Sequence, residues 1–217
     1  MIKPQLMSVL FLFLFVFSPV CGDFDYLQLV LQWPRSFCKT RYCPNPVPRN
    51  FTIHGLWPDK QRIMPINCPA KESYKSITDS KKIKLLEQHW PDLTSNQGSA
   101  EFWRYQYKKH GTCSVDLYNQ EQYFDLAIEL KEKFDLLKTL KNHGITPSKT
   151  NTVIDVEEAI KAVTKEVPNL NCIGDSSQTM ELLEIGICFN REGTTVIACR
   201  RRWINHPNGN QKITLPP

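Results

Sequence analysis

The sequence predicts an α+β fold, with helices packed on an antiparallel sheet and disulfides stapling the loops. Three observations carry that prediction. Short segments of alternating polarity, rich in aromatic and β-branched residues, read as strands, and longer segments between them have helical spacing. No repeat, low-complexity tract or linker divides the chain, so a single domain is the economical reading. Eight cysteines in a chain that begins like an exported protein point to disulfides.

The export signal comes first. Lys3 precedes an almost wholly apolar run from Leu6 to Val20, followed by the small residue Gly22, which is the pattern of a secretory signal peptide over 1–22. That run falls short of the ~20 residues a membrane-spanning helix needs, and no later segment is longer or more apolar. The expected mature protein, 23–217, is secreted, extracellular and free of membrane contact, and is long enough to bury a core unaided by a metal. From a formal net charge of +5 only Lys3 is lost, and the remaining basic excess suits a polyanion without requiring one.

Taken in order, "FDYLQLVLQW" (24–33) and "FTIHGLW" (51–57) read as strands. Between them Cys38 and Cys43 are close enough to close a short loop, and "NFT" at Asn50 is a glycan acceptor in an exported chain. "SKKIKLLEQHW" and "EFWRYQYKKHG" read as helices. "EQYFDLAIELKEKFDLLKTLKNHG" reads as one long helix, with Tyr123, Leu126, Leu130, Phe134 and Leu137 along one face and a stop at Gly144. "DVEEAIKAVTKEV" opens with Asp155 and Glu158 in capping-box spacing. "LLEIGICF" and "TTVIAC" read as two more strands, joined by turn residues and bracketed by Cys188 and Cys199. Zinc is disfavoured by the lack of any C-x-x-C pair or histidine companion, so no metal and no cofactor are expected.

Two histidines carry the chemistry. If "EFWRYQYKKHGTC" is helical, Phe102, Gln106, Lys109 and His110 share a face. His54, alone at the end of a strand beside Trp57, has the ordinary reading of a half-buried, hydrogen-bonded residue. Together, however, two imidazoles can serve one reaction as base and acid, while a lysine holds the negative charge that builds up. RNA supplies such a reaction: the 2′-hydroxyl loses its proton, attacks the adjacent phosphorus, and the departing 5′-oxygen is protonated.

"FTIHGLWPD" and "FWRYQYKKHGTC" resemble the two active-site segments of the ribonuclease T2 family, and the likeness runs closest to the S-RNases, the self-incompatibility ribonucleases of plant styles in the nightshade family. It extends from "FDYLQLVLQWP" through "HWPDL" and "EQYFDLAIELKEKFDLL" to "LLEIGICF". The resemblance implies a ribonuclease T2-like domain in which His110 is the general base, His54 the general acid, and Lys109 the stabiliser of the phosphorane. It places Trp57, Asp59 and Tyr107 in the substrate pocket, Trp57 offering a stacking face worth ~1–3 kcal/mol per base. It also implies bridges Cys38–Cys43, Cys68–Cys113 and Cys188–Cys199, the second of which spacing alone does not suggest. Implied partners are RNA and, for an S-RNase, pollen F-box proteins; a monomer is expected.

The chain departs from the pattern in two places. The family usually has a glutamate where Gln106 stands, so a charge beside the base is missing, and activity slowed ~10–100-fold is expected. Cys172 lacks its usual S-RNase partner, whose place Asn205 occupies, which predicts a free thiol and an untethered C-terminal tail. Tyr105 stands where many T2 enzymes have a third histidine, which S-RNases commonly lack. The polar stretches 65–79 and 92–101 fall where S-RNases vary between alleles. Two other readings stay open: a related or relic ribonuclease with weakened activity and no role in pollen rejection, and a non-catalytic stylar glycoprotein.

Overall fold

The computed structural model describes residues 23–175 and 177–217; the expected signal segment 1–22 lies outside the described residues. In chain order the elements are β1 (Tyr26–Gln32), α1 (Pro34–Thr40), β2 (Thr52–Asp59), α2 (Ser80–His89), α3 (Ala100–Lys109), a 3₁₀ turn (Gly111–Ser114), α4 (Gln120–Lys133), α5 (Leu136–Asn142), β3 (Thr150–Thr152), α6 (Val153–Thr164), β4 (Asn169–Ile173), β5 (Met180–Asn190) and β6 (Lys212–Thr214). The sheet runs β2-β1-β5-β6-β3, with β4 also paired to β5. Every pairing is antiparallel except β5 with β6.

The central strands divide the sheet into two unlike faces, because successive side chains point to opposite sides. Leu27, Leu29, Leu31, Ile53, Ile185, Ile187 and Phe189 enter the core with Trp90, Trp103, Tyr123 and Phe124 from the helices. Gln28, Gln32, Thr52, Asn169, Asn171 and Glu184 line the other face, where Gln32 donates to Thr52 and Asn171 to Glu184. β1 is buried along its whole length, between β2 and β5.

Four expectations are corrected. The long helix over 121–144 is broken at Phe134, which turns extended and sends its ring toward Phe189, 6.3 Å away. Asp135 then caps α5 by accepting from the Lys138 amide, and Gly144, in the left-handed region at φ 74°, follows its end. The capping box of α6 is formed by Thr152 and Asp155, three residues earlier than the Asp155 and Glu158 pair read from the sequence. "TTVIAC" folds back beside β5 through a single bridge, Phe189 to Val196, and makes no strand. The C-terminal tail is anchored: β6 pairs with β3 and β5, and the Trp33 indole donates to the Pro216 carbonyl.

Disulfides join Cys38 to Cys43, Cys68 to Cys113 and Cys188 to Cys199. Cys172 is unpaired and buried on β4, and burial pushes its thiol up to about 12, which makes it unreactive. Asn50 is exposed just before β2.

Candidate active site

His54 owes its position to an irregularity in β2. In the β1–β2 register Val30 faces Gly55 and Leu31 faces Ile53, so His54 is the extra residue of a β-bulge. Bulges re-aim side chains, and this one turns the imidazole onto the polar face. The Trp90 indole donates to the His54 carbonyl at 3.0 Å and holds the strand in place. His54 Nδ1 lies 2.5 Å from Glu184 Oε1, while Glu184 Oε2 accepts from Asn171 Nδ2 at 2.8 Å. Burial alone would push the Glu184 carboxyl up, but the His54 contact and charge and the Asn171 bond together hold it below the usual carboxylate range. An ionised Glu184 thus fixes which ring nitrogen of His54 carries its inner proton.

His110 stands in the opposite setting. Trp103, Gln106, Tyr107 and His110 form the buried stripe of α3 and its cap, at the i, i+3, i+4 spacing that packs a helix. Trp103 is pinned by donating to the Trp90 carbonyl, so the same residue, Trp90, ties both histidine-bearing segments together. His110 is 3% exposed, and its Nδ1 has no partner among the described residues. Burial, helped by the charges of Lys109 and His54, pushes its imidazole down to about 3. A helix C-terminus favours a cation by at most ~2 kcal/mol, so desolvation wins and His110 is neutral at physiological pH.

Trp57 joins the pair. Its ring centroid is 5.3 Å from His110, nearly parallel, and 5.3 Å from His54, edge-on. Gly55 beneath it is required for space: a Cβ there would lie 2.2 Å from Trp57 Nε1 and 2.8 Å from Gln106 Oε1. Both of those buried atoms lack a hydrogen-bond partner among the described residues. Lys109 projects from the last turn of α3 with its ammonium over the Tyr105 ring, 5.4 Å from its centroid, and pairs with no carboxylate among the described residues. Its flexible stem lets the charge swing toward a phosphate. No group of three or more His, Cys, Asp or Glu among the described residues is arranged to hold a metal ion.

Two residues assigned to the substrate pocket are buried and already engaged. Asp59 is 1% exposed, and its oxygens accept from Tyr26, Arg201 and the Lys60 amide. Tyr107 is buried against Tyr123, and lines a separate cavity of about 560 Å³ with Ile77 and Phe124. One face of Trp57 is already covered by the His110 ring. Sequence reasoning missed Glu184 and Asn171; a lone carboxylate in the apolar run "LLEIGICF" was the available signal.

The arrangement offers a neutral imidazole and a carboxylate-bound imidazole against one indole, with an ammonium on the residue next to His110, which suits proton transfer at a phosphodiester. The model of the Ribonuclease T2 family matches residues 24–199. Ribonuclease S-2 of Solanum tuberosum is 48% identical, with 98% of each chain covered. Ribonuclease S-7 of Nicotiana alata is 47% identical over the whole of both. Among solved structures, the Nicotiana alata SF11-RNase associated with gametophytic self-incompatibility superposes with a TM-score of 0.83 at 42% identity, covering 90% of this chain and 100% of that one. RNase NT, solved with 5′-AMP, gives 0.77 at 31% identity, covering 90% and 99%.

Proposed function

The chain belongs to the ribonuclease T2 family, and from that premise we propose a secreted self-incompatibility ribonuclease of the plant style. It is a metal-independent endoribonuclease. In the proposed reaction the 2′-hydroxyl proton of RNA moves to His110, and the O2′–P bond forms as the P–O5′ bond breaks. The proton of His54 then goes to O5′. The products are a 2′,3′-cyclic phosphate end and a 5′-hydroxyl end. Lys109 stabilises the charge on the phosphorane oxygens.

The observation that carries this reading is the opposed setting of the two histidines. Burial leaves His110 neutral, with an imidazole lone pair free, while Glu184 supplies His54 with the anionic partner that an imidazolium needs. Gln106 supports a slowed enzyme, since an amide at this buried position brings no charge to the base. Export after 1–22, a glycan on Asn50, a monomeric state and pollen F-box partners complete the proposal, on the strength of the stylar relatives.

The test is RNA hydrolysis in EDTA by the mature protein, with product ends identified by mass spectrometry. Cyclic phosphate ends support the reading. Cleavage that leaves 5′-phosphates, or activity lost to the chelator, would overturn it.

A further inference from the structure

The segment after Cys199 crosses the polar face of the sheet and brings Trp203 next to Trp57. Cys199 is bonded to Cys188 on β5, and the Arg201 guanidinium reaches the buried Asp59 at 2.7 Å. Trp203 Nε1 donates to Gln28 Oε1 at 3.1 Å, and its ring rests on Gly186, where a Cβ would lie 2.8 Å from a ring carbon. Trp203 is therefore an indole fixed from below and at its edge. Its centroid is 6.4 Å from that of Trp57, at 49°, so the rings of His110, Trp57 and Trp203 form a continuous row. Trp203 is the member of that row that carries no catalytic group against its face, and it is half-buried, with surface left to offer.

The flanking arginines differ in how fully they are engaged. Arg202 is committed to Glu157 at 2.8 Å and to the His206 ring. Arg200 is 51% exposed, and its carboxylate partner, Asp25, is no nearer than 3.9 Å. A rigid indole three residues along the same segment from a loosely held guanidinium has the composition of a single-strand nucleic-acid platform, where a base stacks and the cation meets a phosphate further along the strand.

We infer that Trp203 and Arg200 form a nucleobase subsite flanking the scissile phosphate, Trp203 stacking one unpaired base and Arg200 holding the neighbouring phosphate. The inference rests on the ribonuclease reading above. It makes the "RRRW" segment and the Cys188–Cys199 bridge part of substrate binding, with Trp203 as a positioning residue.

The experiment is fluorescence anisotropy of a labelled single-stranded RNA made uncleavable by a 2′-deoxynucleotide at the cleavage point, bound to the mature protein. Trp203→Ala weakens binding about 5- to 150-fold, the stacking value of one base. Trp203→Phe, which loses the Gln28 bond and keeps a ring, stays within about 3-fold. Moving a single abasic site along the RNA finds one position at which Trp203→Ala and the parent protein bind alike. Arg200→Ala lowers the slope of log affinity against log salt by about 1. Unchanged affinity in Trp203→Ala overturns the subsite, as does an equal loss in the Ala and Phe variants that tracks a fall in Tm. A parent protein that neither binds nor cleaves RNA would overturn the ribonuclease reading itself, whereas a parent that cleaves normally confines the failure to the subsite.

Discussion

His54 and His110 both pack on the Trp57 indole, one edge-on and one face-on, yet their surroundings have little else in common. The His54 side chain is 32% exposed, sits on a strand bulge and is bonded to an anion. His110 is 3% exposed, caps a helix and has no anion against it. The comparison teaches that burial and partner alone set two copies of one side chain far enough apart to serve as acid and base in the proposed reaction. It also explains why both segments are anchored on Trp90, since the division of labour fails if either ring shifts relative to the other.

The largest break in the comparison is removal of either ring. His54→Asn and His110→Asn each lower kcat by ~10²–10⁴ in steady-state hydrolysis of a dinucleoside phosphate. A variant that keeps near-parental turnover removes that histidine from the mechanism. Glu184→Gln strikes at the asymmetry itself: kcat falls ~10–100-fold in the same assay, because an amide gives an imidazolium no counter-charge. An unchanged kcat would leave Glu184 a structural partner only. Gln106→Glu has the opposite sign and restores a charge beside the base, raising kcat by ~10–100-fold in the same assay. No gain would show that the amide costs this chain nothing.

Smaller in effect is Gly55→Ala, which forces a methyl group against Trp57 and Gln106. Overpacking of this kind costs ~1–3 kcal/mol, so Tm falls by several degrees while the secondary structure persists by circular dichroism. An unchanged Tm would mean that the indole has room to move, and the fixed geometry around it would lose its support.

Much of this was legible before any coordinates, for physical reasons that differ by region. β1 and α3 announce themselves because each sends an apolar series to one side, Leu27, Leu29 and Leu31 at period two and Trp103 and Tyr107 at helical spacing. The break between α4 and α5 was hidden because Leu130, Phe134 and Leu137 keep helical spacing across it; Asp135 followed by Leu136 was the cap signal. β3 and β6 have three residues each, too short for any pattern, so the anchoring of the tail could not be foreseen. The histidines, Lys109 and Gln106 came from motif likeness. Glu184, Asn171, Arg201 and Trp203 did not, because they act through contacts across 13 to 175 residues of chain that only the folded sheet brings together.

The neutral state of His110 is the centre of this account, and it also sets a sign for stability. Below the ordinary histidine value of 6.5 the unfolded chain takes up a proton at this residue that the folded protein refuses until about pH 3. His110 therefore lowers stability as pH falls through that window and costs nothing at neutral pH. The direct measurement is an NMR titration of the imidazole nitrogens of the free mature protein, with His110 assigned by its loss in His110→Asn. The account predicts that the His110 ring stays neutral down to at least pH 5. Protonation with a midpoint near 6.5 would contradict it, because His110 would then share the ordinary behaviour of an exposed histidine and the environment would no longer separate base from acid.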